Sequence, residues 1–173
     1  MTQEELLRLP KVELHCHLDG SLSQEFIEKR LGRSVKKEEL SVSDDCTSLA
    51  EYLEKFDMPC QCLKDEEGLE EAGYDVLKSM SREHVCYAEI RFAPLFSETE
   101  SMSCKRAMEA LIKGLERGKQ DFNIAACVYF SLLCQQCCAH LKAGIGSIGK
   151  IQLFDCCVDQ LFNHCFFHII HRY

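Results

Sequence analysis

At 173 residues, with 28 acidic and 20 basic side chains, the chain carries a formal charge of −8, which repels nucleic-acid phosphates and anionic membrane surfaces. Its length allows one domain with a real core, whereas an ordinary (β/α)8 barrel needs about 250 residues. No charged start with an apolar run behind it opens the chain, and no apolar stretch approaches a membrane span of ~20 residues. The sequence therefore predicts a soluble, cytoplasmic protein whose partners are neutral small molecules, with no nucleic acid and no membrane. The thirteen cysteines read as reduced thiols in that compartment.

In chain order, Met1 to Leu9 has a short helical pattern that Pro10 ends. A strand follows over Lys11 to Asp19, with Glu13, His15, His17 and Asp19 on one face and Val12, Leu14, Cys16 and Leu18 on the other. Ser21 and Gln24 have capping-box spacing for a helix through about Leu31, and Ser48 and Glu51 repeat that signal before Leu49 to Phe56. Glu66 to Arg82 is a longer amphipathic helix with Leu69, Ala72, Val76, Leu77 and Met80 as its buried stripe. Val85 to Phe92 alternates as a second strand that Pro94 ends, Cys104 to Gln120 reads as a helix, and Phe122 to Phe130 as a third strand. Strands separated by helices predict parallel pairing with right-handed crossovers.

From about Tyr129 the composition changes. Residues 129–173 hold two carboxylates, Asp155 and Asp159, and three basic residues, Lys142, Lys150 and Arg172, for a net +1 against −9 in residues 1–128. The chain thus divides into 1–128 and an atypical Cys-rich tail, 129–173, expected to be out of frame or to follow a truncation. Cys134-x2-Cys137 and His164-x3-His168 in that tail are separated by 26 residues, where a zinc finger expects about 12–15.

The chemistry sits on the first strand. Positions i and i+2 aim the His15 and His17 imidazoles at one point, which is a metal-ligand arrangement. Glu13 and Asp19 share their face, and four ionisable side chains cannot share a dry interior without pairing or a cation. Leu49, Tyr52 and Phe56 fit either a core stripe or a functional surface. Glu89 and Arg91 read as a structural ion pair, and Asp57 and His84 as surface or capping residues.

The segment Lys11-Val-Glu-Leu-His-Cys-His-Leu-Asp-Gly-Ser21 resembles the opening motif of the adenosine deaminases. Tyr52-Leu-Glu-Lys-Phe-Asp57 is similar to that family's helical lid, and Tyr87-Ala-Glu-Ile-Arg-Phe-Ala-Pro94 to its second barrel strand. The resemblance covers about three quarters of the chain. It implies an α/β fold, here an incomplete TIM-type (β/α)8 barrel, and zinc (Zn2+) held by His15 and His17. It also implies that His17 and Asp19 bind a purine nucleoside, with Asp19 on the ribose. Adenine deaminases typically carry Glu at the Asp19 position and N6-methyl-AMP deaminases Asn, so adenosine or deoxyadenosine is the implied substrate, deaminated hydrolytically to inosine and ammonia in purine salvage. The family's His-Ala-Gly-Glu and Thr-Asp-Asp segments do not occur. The nearest string, His140-Leu-Lys-Ala-Gly144, lacks the glutamate, so no catalytic general base is assigned and the chain is expected to be inactive alone. The alternative expectation is a non-catalytic fragment acting as an interaction or metal-binding module.

Overall fold

The connections between the first and second and between the second and third strands are too long for hairpins, and the strands they join are parallel, as expected of helices returning over one face of a sheet. The computed structural model describes residues 2–131 and 152–154. Helix α1 (Gln3–Leu7) precedes β1 (Lys11–His17). Four helices follow, α2 (Gln24–Leu31), α3 (Lys37–Leu40), α4 (Leu49–Glu54) and α5 (Asp57–Gln61), and then α6 (Glu66–Arg82). Strand β2 (Val85–Phe92), a 3-10 turn (Pro94–Ser97), α7 (Cys104–Phe122), β3 (Ala125–Ser131) and β4 (Gln152–Phe154) complete the order. The sheet runs β1-β2-β3-β4, all parallel. It is the first part of a (β/α)8 barrel.

β2 and β3 pair in unbroken register from Tyr87↔Ala125 to Phe92↔Phe130. β1 against β2 is irregular, with shifts after Lys11 and between Glu13 and Cys16, after which His17 lies opposite Arg91. Along β1 itself the expected alternation holds, with Lys11, Glu13, His15 and His17 half-buried and Val12, Leu14 and Cys16 differing from them. Val12 and Leu14, on the expected apolar face, are each 57% exposed, whereas Cys16 and Leu18 are buried.

The core lies between the sheet and α6 and α7. The expected stripe of α6 is buried in full, Leu69, Ala72, Val76, Leu77 and Met80, against Ala107, Met108, Leu111 and Leu115 of α7. Asp65 caps α6 through Gly68 N at 2.7 Å, and Ser103 caps α7 through Arg106 N at 3.4 Å. The start of α2 differs from expectation: its cap is Ser23, not Ser21. Buried Asp75 of α6 selects Ser23, accepting from its N at 2.8 Å and its Oγ at 2.7 Å, while Phe26 N donates to that Oγ. Ser21 instead accepts from the Cys16 thiol at 3.1 Å. The lid segment also breaks in two, since α4 stops at Glu54 and α5 begins at Asp57. His84, exposed and at φ 60, turns the chain into β2 as expected of a surface residue. The third strand runs on to Ser131, and the tail motifs at Cys134, Cys137, His164 and His168 lie outside the described residues.

No helix among the described residues is long and apolar enough to cross a membrane. None of the seven described cysteines forms a disulfide.

The α6–α7 contact depends on glycine. A Cβ on Gly114 would run into the backbone carbonyl of Glu70, and backbone cannot swing aside as a flexible side chain can. Gly114→Ala should therefore destabilise the fold by about 3 kcal/mol, the upper part of the overpacking range, despite alanine's better helix propensity. Urea unfolding followed by circular dichroism checks this, and a variant as stable as the parent would show that the helices separate freely.

Candidate functional site

β1 delivers its two histidines together. His15 Nε2 and His17 Nε2 lie 3.1 Å apart, with ring centroids 5.1 Å apart and the planes tilted by 30°. Two nitrogens each about 2.0–2.1 Å from a tetrahedral zinc would stand about 3.3 Å from one another, so the pair fits one shared ion. Among the described residues no third His, Cys, Asp or Glu joins them in a metal-binding group. Glu13, His15 and His17 occupy alternate positions of β1, as the one-face reading expects. Glu13 turns back to accept from His15 N at 3.2 Å, and Asp19 sits past the strand's last residue, in the turn that follows.

Burial, and secondarily the charge of Arg91, hold the His17 pKa below the ordinary histidine value. A neutral imidazole keeps the lone pair that a metal requires. Burial raises the Asp19 pKa, and hydrogen bonds from the backbone of Asp19 and Gly20 oppose that rise.

Arg91 and Glu89 do not pair with each other, contrary to the sequence reading. Glu89 Oε1 accepts from both the Tyr87 and Tyr129 hydroxyls, each at 3.2 Å. The Arg91 guanidinium lies over the Tyr129 ring at 5.3 Å, and its Nε is buried without a partner. The Tyr87 hydroxyl also meets Cys127 Sγ at 3.4 Å. That contact is the first cause of a Tyr87 pKa well above the usual phenol, with burial next.

Asp19 lines a small cavity of about 20 Å³, room for about one water, whose lining also includes Cys60, Leu63, Phe92, Phe96 and Ser97. Burial, then the Asp19 charge, pushes the Cys60 thiol up to about 11. The sequence reading missed Cys60 and Ser97. The one available signal for Ser97 was its place just after β2, because barrel sites gather at the C-terminal ends of strands. The lid residues lie close by. Phe56 packs edge-on to Tyr52 at 5.4 Å, and a Cβ on Gly20 would meet its ring at 3.1 Å. No residue of α4 is buried, so Leu49 and Tyr52 do not form a core stripe.

Parallel strands with helical crossovers, and paired imidazoles at the end of the first strand, define the class: part of a (β/α)8 barrel with a candidate metal pair on its first strand. The family model for adenosine deaminase matches residues 10–143. Similar curated proteins include the adenosine deaminase of Clostridium perfringens (strain SM101 / Type A), 39% identical over 138 residues, with 74% of this chain and 42% of that protein covered. The adenosine deaminase of Streptococcus mutans serotype c is 42% identical over 130 residues, covering 70% and 37%. Among solved structures, an amidohydrolase from Burkhoderia ambifaria with bound Zn matches with a TM-score of 0.68 at 18% identity, over 92% of this chain and 48% of that one. An adenine deaminase from Arthrobacter aurescens matches with a TM-score of 0.65 at 20% identity, over 86% and 50%. This chain belongs to the adenosine deaminase family, and it spans less than half the length of these curated relatives.

The depressed His17 pKa has a consequence for the metal-free chain. The unfolded imidazole protonates near 6.5 while the native one resists, so the unfolded state binds more protons below that pH and stability falls as pH falls from about 6.5 towards the native value. Above 6.5 the contribution is fully present. Relative to His17→Gln, the parent should lose stability more steeply in that window, measured by urea midpoints across pH. Identical slopes would show that the ring is solvated.

Proposed function

We propose that residues 1–128 form the metal-binding and ribose-binding side of a zinc-dependent deaminase, which converts adenosine or deoxyadenosine to inosine and ammonia in cytoplasmic purine salvage. The observation that carries this reading is the 3.1 Å approach of His15 Nε2 and His17 Nε2, which their i, i+2 placement on β1 brings about. His15 and His17 would hold Zn2+, which when bound lowers the pKa of water to about 7 and so supplies the nucleophile for C6 of the purine. Arg91 helps keep His17 neutral and able to bind. Asp19 would accept a hydrogen bond from the sugar, and as a carboxylate it disfavours a nucleotide phosphate there. No residue of this chain is assigned the glutamate's acid–base work on the ring nitrogen. The Cys-rich segment 129–173 is assigned no part in the site.

A second reading rests on a separate observation. Val12 and Leu14 are exposed on β1, the outermost strand of the sheet, and exposed apolar groups at a strand edge favour association with another chain. On that reading the chain is a non-catalytic interaction module.

Two imidazoles supply half of a four-coordinate shell. The chain alone, given zinc and adenosine, should therefore release no measurable ammonia, yet it should take up more zinc than His15→Ala or His17→Ala after dialysis against micromolar metal. Equal uptake by all three removes the zinc assignment. Residues 10–143 grafted in place of the matching segment of the C. perfringens relative should restore adenosine deamination, and His17→Ala in that chimera should abolish it. A folded, zinc-loaded chimera inert towards adenosine would refute the deaminase reading and leave the interaction module.

A further inference from the structure

One buried hydroxyl on the wall of the small cavity beside Asp19 has no role so far. Ser97, 2% exposed, ends the 3-10 turn that follows β2 and lines that cavity. Among the described residues its hydroxyl has no hydrogen-bond partner. Protein does not wall in its oxygen as it walls in Arg30 Nε and Arg91 Nε, the buried side-chain nitrogens left without partners, so the hydroxyl faces the cavity. Buried hydroxyls are nearly always bonded, and this one calls for an occupant of the space in front of it.

Size and chemistry name the occupant. The cavity measures about 20 Å³, above the ~10–15 Å³ that one water needs and too little for anything larger. Cavities that stay dry are apolar, whereas a buried water takes about two to four polar partners. Ser97, Asp19 and Cys60 supply polar side chains to this lining, and Leu63, Phe92 and Phe96 supply the apolar rest. A carboxylate only accepts, while a hydroxyl both donates and accepts. A water donating to Asp19 and accepting from Ser97 satisfies both. The serine side of the cavity is held firmly, since the Lys64 ammonium donates to the Phe96 carbonyl at 2.5 Å and Pro94 fixes the start of the turn.

We propose that Ser97 and Asp19 hold one buried water between them, and that through this water Ser97 is a positioning residue for the Asp19 carboxylate. The water fastens the turn after β1 to the turn after β2. A carboxylate has about four acceptor sites. With the backbone N–H groups of Asp19 and Gly20 on two of them and the water on a third, one stays open to a further donor. The water itself does not depend on the nucleoside reading, on which the open site is the one that meets the sugar.

A crystal structure of the 173-residue chain should show one water about 2.8 Å from both Ser97 Oγ and an Asp19 carboxylate oxygen. A dry cavity, or a Ser97 hydroxyl bonded directly to protein, overturns the proposal. Amide hydrogen exchange tests the positioning, because the Gly20 N–H donates to the Asp19 carboxylate and is released when that side chain loosens. Ser97→Ala should speed exchange at Gly20 about fivefold, the value of one neutral hydrogen bond, and leave buried Leu77 of α6 unchanged. Ser97→Thr, which keeps the hydroxyl, should behave as the parent. Equal acceleration at Gly20 and Leu77 would mean that Ser97 only supports the fold, and an unchanged Gly20 would disconnect Ser97 from Asp19; either result overturns the positioning role. Should Ser97→Ala fail to fold, the parent crystal decides on the water, and Ser97→Cys, whose thiol is a weak hydrogen-bonding group, takes its place in the exchange measurement.

Discussion

Two long helices lie close enough together that backbone meets backbone. Gly73 and Gly114 stand where any side chain would strike Leu111 and Glu70 respectively, and that approach lets α6 and α7 share the outer face of β2 and β3. Glu70 makes ion pairs across the seam with Lys113 at 2.6 Å and Arg117 at 2.9 Å. Partly exposed pairs of this kind contribute at most about 1 kcal/mol each, so shape and apolar burial carry the contact. The helices hold the sheet, and the sheet holds β1 with His17 opposite Arg91. The imidazole pair therefore depends on glycines in another layer of the molecule.

The interior face of the sheet settles its charges without a simple salt bridge. Glu89 is bonded by two phenols, which leaves the Arg91 charge facing the Tyr129 ring and, more distantly, His17. A cation over an aromatic face is stabilised without neutralisation, so Arg91 retains a field that disfavours a second positive charge on His17. Had Glu89 paired with Arg91, as spacing along the strand suggested, that field would be cancelled and His17 would protonate more readily. The tyrosines thus help determine the state of a histidine on the neighbouring strand.

Much of this was legible in the sequence because periodicity and spacing report directly on burial. The stripe of α6, the span of β2 and the parallel order follow from the pattern of apolar residues, and the convergence of His15 and His17 follows from i, i+2 placement. Tertiary choices were not legible. Ser21 and Ser23 are both plausible caps, and only Asp75, 52 positions away along the chain, decides between them. The register shift between Glu13 and Cys16 has no local signature either.

The imidazoles and the carboxylate stand on different kinds of backbone. The imidazoles lie on the strand, whereas Asp19 lies on the turn beyond it. A Cβ on Gly20, the next residue, would meet the ring of Phe56, which lies edge-on to Tyr52. The aromatic lid therefore rests on the turn that carries the carboxylate. On the proposed reading, a nucleoside lies across both, its base near the imidazoles and its sugar beside Asp19. The grip on the sugar is then set by loop elements, Gly20, Phe56 and the turn after β2, while the metal end is set by a strand. Rigid chemistry and adjustable recognition are built from different kinds of backbone, so changes in the loops would retune substrate choice while leaving the geometry of the imidazole pair intact.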